Sequence, residues 1–81
     1  MLCEVFMPKY GLTMKEGTIG TWYKKEGDRL QKGEIIVEAM SEKITNDIES
    51  PATGVLEKII AQEGDIVAVG AVIAIIAADH I

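Results

Sequence analysis

Residues Glu26–Gly33 read EGDRLQKG, and 37 positions later Glu63–Gly70 read EGDIVAVG. Sliding the chain along itself by that offset sets Glu26 on Glu63, Gly27 on Gly64, Asp28 on Asp65 and Gly33 on Gly70. Gly17 also meets Gly54, so six of the eight glycines fall in pairs, which marks shared turns. Apolar positions follow: Ile19 with Leu56, Leu30 with Val67, Ile35 with Val72, Ile36 with Ile73. An internal repeat of this kind organises the whole chain. At this offset the halves run from about Pro8 to Ile44 and from Thr45 to Ile81.

Outward from these turns the segments are those of strands. GEIIVEAM, GVLEKII and AVIAIIA are short, β-branched and bounded by Gly, Pro or Asp, and no segment keeps apolar residues at helical spacing over three turns. Each EGD reads as a tight turn, with Gly taking positive φ and Asp closing an Asx-turn. About eight short strands are expected, four per half. Ile35, Val37 and Ala39 alternate, whereas Ile19 and Trp22 are three apart, which predicts a bulge or a strand that changes sheets. Ile66–Ala78, too short for a membrane span, reads as two buried strands around a turn. Each half alone has too few strands to cover its apolar side chains. Together they predict an all-β fold, a flattened barrel or sandwich of two four-stranded sheets related by a pseudo-two-fold.

Eighty-one residues make one small domain, 1–81, whose core supplies a margin of roughly 3–5 kcal/mol. Such a chain suits a carrier, a binding module or a structural unit better than an enzyme with an enclosed site. Eight basic and 13 acidic side chains leave a net charge of −5, with no basic cluster for nucleic acid. Cys3 is the only cysteine, so no intrachain disulfide forms, which fits a reducing cytoplasm. The N-terminus lacks the basic and apolar regions of a signal peptide. His80 is the sole histidine, and no Ser/His/Asp set, metal-ligand cluster or phosphate loop is present.

The centre of the repeat is Glu38–Gly54, EAMSEKITNDIESPATG. Strand IIVEAM leads in and NDIES leads out, so Ser41–Thr45 predicts a hairpin turn with Glu42 and Lys43 at its central positions. Offset by 37, Lys43 falls on Phe6 in one direction and on His80 in the other. Those are the chain ends, so the turn and the paired termini are expected at opposite poles. Read on its own, Lys43 is equally an exposed turn lysine.

MPKYGLTMKEGTIGTWYKKEGD, EKIT and ESPATG together resemble the lipoyl domain of the acyltransferase component of 2-oxo acid dehydrogenase complexes, within the biotinyl/lipoyl-attachment family. The resemblance covers nearly the whole chain. It implies a barrel-sandwich hybrid with lipoic acid joined as an amide to Lys43. Glu42 is then the flanking acid, with Ser41 and Ile44 beside it, read by the lipoate ligase and the decarboxylase. No residue is assigned a catalytic or metal-binding role. The implied partners are a thiamine-dependent decarboxylase component, the acyltransferase catalytic domain, dihydrolipoyl dehydrogenase and a lipoate ligase or lipoyl transferase, with no nucleic acid and no membrane. Such a domain is a non-catalytic carrier, a swinging arm for acyl groups and reducing equivalents. SEKI is also similar to acyltransferase components of acetoin-cleaving systems.

The alternative is a biotin carboxyl carrier, because Glu38-Ala39-Met40 resembles the start of a biotin site. There the lysine stands between two methionines; here Ser41 and Glu42 intervene. The acidic residues Glu38, Glu42, Asp47 and Glu49 near the turn read either as a docking patch for basic partner surfaces or as a solvated face that discourages edge-to-edge pairing.

Overall fold

The computed structural model describes residues 1–41 and 44–79. Eight strands appear among them: β1 (Leu2–Phe6), β2 (Glu16–Trp22), β3 (Arg29–Leu30), β4 (Ile35–Met40), β5 (Thr45–Glu49), β6 (Gly54–Ile59), β7 (Ile66–Ala68) and β8 (Val72–Ala78). They form two antiparallel four-stranded sheets in the orders β1-β8-β6-β3 and β5-β4-β2-β7. The sheets face each other across a core that includes Ile19, Leu30, Ile36, Leu56, Ile73 and Ile76, all fully buried. Each such side chain contributes about 1.5–3 kcal/mol. The body measures 36 × 21 × 17 Å.

The pseudo-two-fold is written in the hydrogen bonds. Gly27 N–H donates to Leu56 O and Gly64 N–H to Ile19 O, both at 2.8 Å. The return bonds, Leu56 N–H to Asp28 O and Ile19 N–H to Asp65 O, measure 2.9 and 2.8 Å. Each aspartate accepts within its own turn, Asp28 from Lys25 N–H at 2.8 Å and Asp65 from Gln62 N–H at 2.9 Å. Each glutamate crosses to the other half: Glu26 accepts from Ile59 N–H and Glu63 from Trp22 N–H, both at 2.8 Å. Gly33 and Gly70 both have φ 89°, a conformation that side chains with a Cβ adopt at a cost.

Three sequence expectations change. The offset of 37 holds for β2, β3 and β4 against β6, β7 and β8, but β1 is the counterpart of β5 at an offset of 43. The first half therefore begins with β1, not at Pro8, and six extra residues lie in the connection between β1 and β2. A register shift between Ile35 and Val37 turns both Ile36 and Val37 inward and leaves Ile35 exposed. β7 is not a buried strand: it is a three-residue edge strand with Ile66 67% exposed, and of its residues only Val67, half-buried, packs against the core that β8 enters. The expected irregularity in β2 is present as a register shift between Ile19 and Trp22.

Candidate functional site

β4 and β5 pair from Ile35↔Glu49 to Met40↔Thr45, which carries the chain to the end of the molecule. One step further, Ser41 N–H donates to Ile44 O at 2.8 Å, and the Ser41 hydroxyl donates to the same oxygen at 3.3 Å. Two residues, Glu42 and Lys43, separate this closing pair; both lie outside the described residues. At the other pole Ala78 N–H donates to Met1 O at 2.7 Å. Ala78 and Met1 are the repeat counterparts of Ser41 and Ile44, so the residues flanking Lys43 and the paired termini occupy opposite ends. Phe6, the expected counterpart of Lys43, instead matches Glu49 at the offset of 43, and Lys43 and His80 lie outside the described residues.

The inserted residues lie beside the hairpin. Tyr10 donates its hydroxyl to Asp47 O at 3.3 Å and its N–H to Met14 Sδ at 3.3 Å, and Met14 N–H donates to Gly11 O at 3.1 Å. Between this loop and the hairpin is an open groove of about 690 Å³, whose lining includes Tyr10, Met14, Gly17, Met40, Ser41 and Ile44. A Cβ on Gly17 would approach Met14 Cε and Met7 Sδ at 3.0 Å, so the glycine leaves room for Met14, which lines the groove, and for the buried Met7. Sequence reasoning missed the groove. The signal was present: Val5 and Pro8 match Ile48 and Pro51 at an offset of 43, which announces six extra residues before Gly17.

Of the acidic residues, the structure brings Glu38, Asp47 and Glu49 onto the outer face of one sheet; Glu42 lies outside the described residues. Glu38 stands directly opposite Asp47, a like-charge pair that costs stability. The Glu38 carboxylate lies over Gly20 and accepts from the Tyr23 hydroxyl at 3.4 Å. Burial first, then Glu38 and Asp47, raises the Tyr23 phenol above its ordinary range. Burial, then Asp47 and Glu49, does the same for Tyr10. Burial leads both shifts, and the neighbouring carboxylates act in the same direction.

Residues 3–76 match the profile of the biotin/lipoyl-attachment family, described as "Biotin-requiring enzyme". The chain belongs to this family. It is 39% identical over 70 residues to the dihydrolipoyllysine-residue acetyltransferase component of the acetoin cleaving system of Pseudomonas putida, covering 86% of this chain and 19% of that protein. It is 42% identical over 73 residues to the dihydrolipoyllysine-residue succinyltransferase component of the 2-oxoglutarate dehydrogenase complex of Staphylococcus saprophyticus, covering 90% of this chain and 17% of the relative. The chain thus spans about a fifth of the length of these relatives. Among solved structures, the lipoyl domain of the 2-oxoglutarate dehydrogenase complex of Azotobacter vinelandii superposes with a TM-score of 0.78 at 27% identity, over 95% of this chain and 98% of that one. As a biotin/lipoyl-attachment domain, the chain has the attachment family's two-sheet architecture, with a lysine in sequence between the hairpin's closing residues. Among the described residues no helix is long and apolar enough to cross a membrane.

Proposed function

We propose that this chain is a non-catalytic carrier, bearing lipoic acid as an amide on Lys43 and moving acyl groups and reducing equivalents between active sites of a 2-oxo acid or acetoin dehydrogenase complex. The observation that carries the reading is the Ser41–Ile44 closing pair, which leaves one lysine between its members, at the pole away from the termini. The likeness to chains named as dihydrolipoyllysine-residue acyltransferases supports lipoate as the cargo.

The residues present fit such an attachment. Ile44 is 54% exposed and Met40 37%, so the chain on both sides of Lys43 is open to a modifying enzyme. Ser41 holds the hairpin closed with two donors to one carbonyl. The lipoyl group supplies the acyl-transfer and electron-transfer chemistry. The protein contributes a mount and a surface on which Glu38, Asp47 and Glu49 present negative charge to a basic partner. Tethering then raises the local concentration of the arm at each partner. The proposed partners are the thiamine-dependent decarboxylase, the acyltransferase catalytic domain, dihydrolipoyl dehydrogenase and the ligase that installs the group, all in the cytoplasm. Glu42, beside the lysine, is proposed as the acid those enzymes read.

Intact mass after incubation with a lipoate ligase, lipoate and Mg-ATP tests the reading. A lipoyl increment is expected on the native chain and none on Lys43→Arg. The biotin alternative rests on Ala39-Met40; a biotin increment with a biotin ligase, and none with lipoate, would reverse the assignment.

A further inference from the structure

We propose that the groove between the inserted loop and the hairpin is a seat in which the dithiolane head carried by Lys43 rests between visits to partner enzymes. The proposal builds on the carrier reading above.

Position comes first. Lys43 is bonded to Ile44 and lies one residue beyond Glu42 from Ser41, and both Ser41 and Ile44 line the groove. Consecutive Cα atoms are about 3.8 Å apart, so chain connectivity alone keeps a group carried on the lysine within reach of the groove. Construction comes second. The wall facing the hairpin is the β1–β2 connection, the nine residues 7–15. The equivalent β5–β6 connection, near the other pole, is the four residues 50–53. The longer loop is held in place by the Tyr10 bonds to Asp47 O and Met14 Sδ, which offset the entropy of ordering it.

Chemistry comes third. The lining mixes the thioethers of Met14 and Met40 and the ring of Tyr10 with polar neighbours that include Lys15 and Glu16, and Ile44 is open to solvent at the rim. Soft, polarisable side chains of this kind make favourable contacts with sulfur and with apolar rings. No strong affinity is needed. A short tether supplies an effective concentration in the millimolar range, so a contact too weak to hold free lipoamide is still populated when the arm is covalently attached. A weak seat also releases the head readily to a partner.

The test uses the native chain with 13C-methyl methionine, in unmodified and lipoylated forms. Intact mass is measured first; absence of the lipoyl increment would remove the carrier reading, and the seat with it. With the increment present, nuclear Overhauser contacts from the dithiolane ring protons to the Met14 and Met40 methyls are expected. Both methyl resonances should shift on lipoylation, while Met1, at the opposite pole, should not. A correctly lipoylated chain with unmoved Met14 and Met40 resonances and no such contacts overturns the seat and leaves the carrier reading standing. A second sample carries Met14→Leu. There the Met40 contacts should weaken while the Met1 resonance stays in place; undiminished Met40 contacts would count against a shared seat.

Discussion

At one end of the molecule Ser41 N–H donates to Ile44 O; at the other, Ala78 N–H donates to Met1 O, with lengths of 2.8 and 2.7 Å. The strands that lead to these bonds pair in matching registers: Glu38 opposite Asp47 in one sheet, Ile75 opposite Glu4 in the other. The side chains on those equivalent rows differ. Glu38, Asp47 and Glu49 on the β4–β5 ladder stand where Ile75, Glu4 and Phe6 stand on the β8–β1 ladder. The connection beside the hairpin has nine residues against four in its counterpart. The repeat therefore specifies a scaffold, and what distinguishes the hairpin pole is placed upon it: an acidic face, an added loop and a lysine.

The comparison breaks most severely at one glycine pair. A Cβ on Gly54 would collide with the Ala77 carbonyl and the Ala78 backbone, whereas on Gly17 it meets only methionine side chains. Gly54→Ala should cost on the order of 3 kcal/mol in urea unfolding, and Gly17→Ala about 1 kcal/mol, because flexible methionines give way and backbone does not. Equal losses would show that the two strand positions are packed alike.

The next pair should behave identically. Gly33 and Gly70 share φ 89°, and a Cβ on either meets nothing within 4 Å. Gly33→Ala and Gly70→Ala should each lose about 1–2 kcal/mol from backbone strain alone; unfolding midpoints that differ grossly would end the equivalence. Smaller again are the crossing carboxylates. Glu26→Ala and Glu63→Ala each leave a strand N–H without its partner, for a loss of about 0.5–1.5 kcal/mol. Removing both should be close to additive, since each caps a different strand.

The smallest effect is confined to one half. Lys24 pairs with Glu34 at 2.8 Å, and its hydrogen bond, followed by that of Gln31 N–H, lowers the Glu34 carboxyl below 4.5. The repeat counterparts of Lys24 and Glu34 are Ala61 and Ala71. A depressed folded-state value means that the unfolded chain binds the proton first as pH falls. The stabilisation is complete above about pH 4.5 and lost as pH drops through the folded value. Glu34→Gln should lower the plateau of a Tm-against-pH profile slightly and flatten its acid limb by the same small amount, because a pair near the surface is screened by solvent.

Much of this was legible from residue order. The pairs Gly27/Gly64 and Gly33/Gly70 carry the turn geometry and β-branched runs carry the strands, because both are local requirements; Gly17 and Gly54, expected at turns, lie in β2 and β6 instead. The faces were less legible. Ile35 looks inward by alternation, yet a bulge hands its place to Ile36, and nothing short of the cross-strand register decides that. Ile66 reads as core by composition, but a three-residue edge strand has little sheet beyond it to cover the side chain. Of the hairpin, the break between the strands is a local signal, while the groove beside it arises from contacts between distant segments such as Tyr10 and Asp47. The insertion was encoded at Pro8 and Pro51, and a single fixed offset concealed it.

The crossing carboxylates also bear on how the chain reaches this state. Glu63 completes a strand 41 residues before it, and Glu26 one 33 residues after it. Each half's turn supplies a cap that the other half's sheet needs, so neither half finishes its own hydrogen bonding alone. A chain wired in this way gains little from assembling piecemeal. Closure of two long loops precedes most of the stabilising contacts, which slows folding and makes it all-or-none. Isolated halves should show no cooperative transition, and a probe at Trp22 should lose its signal at the same denaturant concentration as one at Met40.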